Sequence, residues 1–165
     1  MLKIILLLSL SSVLFAKEKL KITSSVFVDG GDIPQEYTCD GVNMMPALEW
    51  HNAPAKAKSL ALIMDDPDAT SGTFAHWVVW NIKSSSKSSA ELFTARQGRN
   101  SGDKKGYIGP CPPSGKHRYF FKIYALDKKI NLKDTAGKAA LEKAMKGHIL
   151  EEAQLIGMYE KKKAL

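Results

Sequence analysis

Arginine is scarce in this 165-residue chain. Only Arg96, Arg99 and Arg118 occur among 24 basic residues, so the net charge of +7 is carried almost entirely by lysine. Planar, forked recognition of phosphates and base edges favours guanidinium groups, and a lysine-rich surface gives only a diffuse attraction to anions. With no basic-aromatic stripe either, nucleic acid is not the expected partner. Cysteine is nearly absent: Cys39 and Cys111 stand alone, with no C-x-x-C or H-x-x-x-H spacing to hold zinc. Two such residues leave a single bridge or two separate thiols both open. No apolar run reaches the ~20 residues of a membrane span. No serine sits in G-x-S-x-G, so Ser71, Ser114 and Cys111 lack the strained turn that activates a nucleophile. No cofactor motif is visible.

Lys3, the apolar stretch from Ile4 to Phe15 and the small Ala16 have the order of a secretory signal peptide. The sequence therefore predicts residues 1–16 as a cleaved signal and 17–165 as one domain, periplasmic or secreted. An oxidising location would permit a Cys39–Cys111 disulfide.

The remaining chain is divided by turn residues: Gly30-Gly31, Pro34, Asp40-Gly41, Pro46, Pro54, Pro67, Gly72 and Gly98 to Gly115. Between them, Ser59 to Asp65, His76 to Ile82 and His117 to Leu126 have strand length and strand residues, with Lys19 to Val28 a weaker fourth. Several are apolar on both faces and predict central strands covered on both sides. Ser84 to Ser89 reads as a surface loop. One helix is predicted over Lys138 to Lys146, capped by Asp134 or Thr135, with Leu141, Ala144 and Met145 on one face and Gly147 at its end. His148 to Ala153 adds a further helical turn or two, and Gln154 to Tyr159 a last strand. Missing crossover helices between residues 20 and 130 argue against a parallel βαβ fold. The class is mainly β with peripheral α.

Three polar clusters lie at strand ends, where loops gather into pockets. They are Asp65-Asp66-Pro67-Asp68, His76, and Gly109 to Gly115 leading into His117-Arg118-Tyr119. Prolines beside the ionisable groups hold these loops in shape. Two imidazoles, a carboxylate and a phenol can receive a small anion or a zwitterionic head group. Taken singly, Asp66 is as well explained as a turn carboxylate and His76 as a core histidine.

The segments DPDA (Asp66 to Ala69), HWVVWNI (His76 to Ile82) and GPCPPSGKHRYFFKIYALD (Gly109 to Asp127) resemble signatures of the phosphatidylethanolamine-binding protein family, its bacterial Raf-kinase-inhibitor-like branch in particular. YTCDG near the start and KAMKGHILEEAQLIGMYE near the end extend the likeness over nearly the whole domain. It implies a large central antiparallel sheet, a smaller sheet packed on it and a few peripheral helices. It also implies an anion pocket on Asp66, His76, Pro112, His117 and Tyr119, walled by Asp68, Ala69, Gly109 and Cys111. Arg118 becomes a structural neighbour, since alternation points it away from His117 and Tyr119 toward an internal carboxylate such as Asp68.

The resemblance implies a non-enzymatic binder of phosphate, carboxylate or phosphoethanolamine-like head groups, with kinase or protease regulation as a family theme. Two readings compete with it. One is a hydrolase using His76 or His117 as base and Asp66 to orient it. The other is an extracytoplasmic inhibitor acting on a protein target through its rigid loops. Peripheral membrane contact and oligomeric state are left open. Thr70 departs from the family's frequent DPDAP, and the last strand lies close to the C-terminus, which predicts a more open pocket.

Overall fold

The computed structural model describes residues 18–162; the predicted signal segment lies outside them. Among these residues, eight strands and one α-helix follow in the order β1 (Lys21–Ser24), β2 (Gly31–Asp32), β3 (Leu48–His51), β4 (Ser59–Asp66), β5 (Phe74–Ile82), β6 (Arg96–Gln97), β7 (Lys116–Leu126), α1 (Lys138–Met145) and β8 (Ile149–Glu160). Six strands form one sheet in the order β2-β8-β7-β4-β5-β6, and β1 pairs with β3 in a small second sheet. The predicted class is the observed one. The large sheet is mixed rather than wholly antiparallel, because the short β2 runs parallel to β8 at its edge.

β4 explains the layering. All eight of its residues are buried, and their alternation sends Leu60, Leu62 and Met64 to one face and Ala61 and Ile63 to the other. The first face packs with Trp77, Val79, Tyr119 and Phe121 against Ile22, Leu48 and Trp50 of the small sheet. The second packs with Val78, Trp80 and Leu126 against Leu141 and Met145 of α1. A strand apolar on both sides needs both covers, and the small sheet and the helix supply them.

Three local expectations are corrected. His148 to Ala153 is not helical: β8 begins at Ile149 and pairs along its length with β7, so tertiary pairing overrides the helix preference of Leu-Glu-Glu-Ala. The helix cap is Gly137, without a side-chain cap bond. Asp134 is instead taken by Arg96 and Lys105 at 2.9 and 2.8 Å. The serine-rich loop is partly internal. Ser89 Oγ accepts the Leu48 amide at 3.0 Å and donates to the Pro46 carbonyl, while the Ser86 carbonyl accepts from Trp50 Nε1 at 2.7 Å.

Candidate functional site

Strand pairing carries most of the site to one end of the large sheet. On β7, His117 and Tyr119 share the face of Phe121 and Ile123. On β4, Asp66 ends the strand directly after Asp65, and the two carboxylates leave on opposite faces. β5 contributes by an irregularity: Met64 pairs with Trp77 and Asp65 with Ala75, so His76 is an unpaired extra residue. Such a bulge re-aims a side chain. It brings His76 edge-on to Tyr119, ring centroids 5.2 Å apart, with Phe74 4.8 Å away on its other side.

These groups line a recess of about 200 Å³ together with Ala69, Thr70, Ser71, Phe74, Ile108, Gly109, Cys111, Pro112 and Pro113. The structure therefore gathers Asp66, His76, Pro112, His117, Tyr119, Ala69, Gly109 and Cys111 from the sequence-predicted set. Asp68 is not among the lining residues. Its carboxylate is gripped by Arg118, which donates from Nε at 2.9 Å, from a terminal nitrogen at 2.7 Å and from its backbone amide at 3.0 Å. The expected partner is right, but the pair lies toward the surface, with Arg118 about half exposed. That guanidinium holds the Asp68 carboxyl at about 2, well below the ordinary carboxylate range.

Asp68 nevertheless supports the recess from behind. Its amide donates to Asp66 Oδ1 at 2.8 Å, while Asp66 Oδ2 faces His117 Nδ1 at 2.7 Å. Both Asp66 oxygens are thus engaged, as a buried carboxylate requires. His76 is clamped twice to one residue: its ring Nδ1 lies 2.8 Å from the Ile108 carbonyl, and its own carbonyl accepts the Ile108 amide at 3.0 Å. Burial, opposed by that carbonyl and by the nearby carboxylates, lowers the His76 pKa below that of a free imidazole. Among the described residues, the buried Tyr119 hydroxyl has no hydrogen-bond partner. Burial, then the Asp66 charge, push its pKa far up and outweigh the opposing pull of the Cys111 backbone, so it keeps its proton.

The far wall is fastened to a distant loop. Cys39 and Cys111 form a disulfide, Cα atoms 5.4 Å apart, which removes the separate-thiol reading. The Cys39 amide donates to the Pro110 carbonyl at 3.0 Å, Tyr107 Oη to the Tyr37 carbonyl at 2.6 Å and the Gly109 amide to Asn43 Oδ1 at 2.7 Å. Approach is so close at Gly109 that a Cβ there would sit 2.5 Å from Asn43 Oδ1 and 2.6 Å from the Tyr37 oxygen. Phe74 and the Ile108 carbonyl were not among the predicted site residues. Phe74 could have been found, two residues before His76 in the same run. A backbone carbonyl has no sequence signature.

The fold and site together define a β-rich protein with a recess at one sheet end where ionisable and apolar side chains meet. Residues 23–160 match the phosphatidylethanolamine-binding protein family, and the chain belongs to that family. Among its relatives, a UPF0098 protein of Methanothermobacter thermautotrophicus is 47% identical over 150 residues, covering 86% of this chain and 99% of the relative. One from Aquifex aeolicus is 42% identical, covering 86% and 89%. Among solved structures, the Chlamydia trachomatis homologue CT736 superposes with a TM-score of 0.83 at 40% identity, covering 87% of this chain and 99% of that one. Escherichia coli YbcL, described as a new member of the mammalian PEBP family, gives 0.81 at 30% identity, covering 88% and 100%.

Proposed function

We propose that this protein is a non-enzymatic binder of a small oxyanion, a phosphate, carboxylate or phosphoethanolamine-like head group, and that the recess around Asp66, His76, His117 and Tyr119 holds it. The carrying observation is convergence. Groups from β4, β5 and β7 and from the loop at residues 108–113 face one space of about 200 Å³, the scale of a phosphoryl group with a short substituent. The Tyr119 hydroxyl, buried without a partner, is a donor kept for a guest, since leaving it unmade costs about 1–3 kcal/mol. The exposed Cys39–Cys111 bridge fits an oxidising compartment and supports export through the predicted signal. Regulation of a protein target would then follow from occupancy of the recess.

The test is thermal. Inorganic phosphate or phosphoethanolamine at 100 times its Kd stabilises a selective folded state by about 2.7 kcal/mol, a rise of roughly 5–10 °C for a chain of this size. The rise disappears in Asp66→Ala and His117→Ala. One observation favours hydrolysis as the second reading: Asp66 and His117 stand 2.7 Å apart, as a carboxylate-oriented base does, and Ser71 lines the same recess. Turnover of activated esters that His117→Ala abolishes would replace binding with catalysis.

A further inference from the structure

The two histidines of the recess differ in electrical support, and the difference deepens the oxyanion reading on which this inference rests. In each ring, Nδ1 faces an acceptor with no proton to give: the Ile108 carbonyl for His76 and the Asp66 carboxylate for His117. Nδ1 therefore carries the proton in both rings. Each neutral ring is left with a lone pair at Nε2, since both rings make their hydrogen bonds through Nδ1. Neutral histidines cannot donate to an anion here, because their only N–H is already used.

His117 Nδ1 faces a carboxylate, so a second proton on that ring would sit beside a full negative charge. His76 gains one against a neutral carbonyl, in a ring only 5% exposed. The groups around His76 do not change this. β4 brings Asp66, already held by His117 and the Asp68 amide, and Asp65, already paired with Lys122 and Lys138. β7 brings His117 itself and Tyr119, a neutral phenol. Beyond them Asp68 is neutralised by Arg118. The Ile108 segment offers backbone, and Phe74 an apolar ring. Burial wins over the carboxylates, and the ring is less basic than free imidazole.

We infer that His76 remains neutral and accepts a proton from the guest, so the recess selects oxyanions that carry an O–H over those of the same shape that do not. Phosphate keeps at least one O–H through the neutral range. A phosphomonoester, with its second pKa near 6, regains one at small cost. Sulfate carries none. A phosphate O–H donates to His76 Nε2, while the Tyr119 hydroxyl donates to another of its oxygens. Sulfate in the same place sets its oxygen lone pairs against that of His76, and an unmade buried hydrogen bond of this kind is costly.

Isothermal titration of the full chain with inorganic phosphate and with sulfate, between pH 5 and 8, tests this. Phosphate binds at least tenfold tighter than sulfate at pH 7, and the gap narrows toward acid pH as His76 acquires a proton and becomes a donor. His76→Gln, whose amide can donate both to the Ile108 carbonyl and to a guest, brings the two affinities within about threefold at pH 7, with an unchanged melting profile at that pH confirming the fold. Equal affinities at pH 7, both lost in His117→Ala, overturn proton selection and leave the oxyanion site standing. Retained discrimination in folded His76→Gln overturns the assignment to His76. No binding of either anion at any pH overturns both the selection and the site.

Discussion

Asp65 and Asp66 are chemically identical neighbours at the end of β4, both almost fully buried, and strand alternation sends them to opposite faces. Asp65 meets two cations: Lys122 Nζ lies 3.2 Å from one oxygen and Lys138 Nζ 2.5 Å from the other. Lys138 opens α1, so this cluster fastens the helix to the sheet. Asp66 meets a histidine and a backbone amide, beside an open recess. One carboxylate is matched by permanent charge and closes a layer. The other is matched by a titratable ring whose far nitrogen is free. The pairing chemistry, more than burial, separates the structural acid from the functional one.

The largest effect expected from breaking this contrast is on the helix side. Asp65→Asn leaves two lysines around a neutral amide, and breaking a buried pair costs about 3–5 kcal/mol. Both lysines are partly exposed, which favours the lower end, a melting point reduced by about 6–12 °C. Phosphate affinity of the surviving folded protein should hold within a factor of three. A tenfold loss of affinity would mean that the two faces are not independent.

Next in size is the bridge on the recess side. Reducing Cys39–Cys111, or the double Cys39→Ser, Cys111→Ser substitution, removes a crosslink across 72 residues and costs about 2–4 kcal/mol. Here affinity should fall with stability, because Cys111 lines the recess. Melting curves with and without phosphate separate the two, and an unaltered phosphate-induced shift would show that the wall holds without its bridge. Smaller again is Asp66→Asn. It keeps an acceptor for the Asp68 amide, so stability should change by about 1 kcal/mol while phosphate affinity drops at least tenfold by titration calorimetry. A loss of stability matching that of Asp65→Asn would erase the distinction between the acids.

How much of this was legible depended on whether side chains or backbone carried the information. The apolar runs of β4, β5 and β7 declared themselves, because strands buried on both faces leave few alternatives. Asp66, His76, His117 and Tyr119 stood out as polar groups at the ends of such runs. β8 was misread at its start because Leu150-Glu151-Glu152-Ala153 prefers helix locally, and only the eleven-residue pairing with β7 decides otherwise. The unpaired position of His76 depends on how β5 registers against β4, and the Ile108 carbonyl that fixes its tautomer belongs to the backbone of a loop. Neither has a residue type that announces it. Asp68 was a wall residue by the family resemblance, yet its two-residue offset from Asp66 commits it to Arg118, the pair that strand alternation predicted.

That offset yields the smallest effect and the sharpest one in pH. A depressed folded-state pKa means that the unfolded chain takes up its proton first, so stability is lost as pH falls. For His76 the loss begins near the ordinary imidazole value of about 6.5 and continues toward its lower folded value. For Asp68 it begins near 3.8 and is complete at about 2. The Asp68 shift corresponds to about 2 kcal/mol. Solvent screening at half-exposed Arg118 reduces this to about 1 kcal/mol. The His76 loss opens at about 6.5 and the Asp68 loss near 3.8, so urea denaturation across pH separates their onsets. His76→Gln should flatten the limb just below neutrality and leave the acid limb intact, and Asp68→Asn should do the reverse. If Asp68→Asn also flattens the upper limb, the charge of the Asp68 carboxylate reaches the recess, and the support behind the site is electrostatic rather than merely positional.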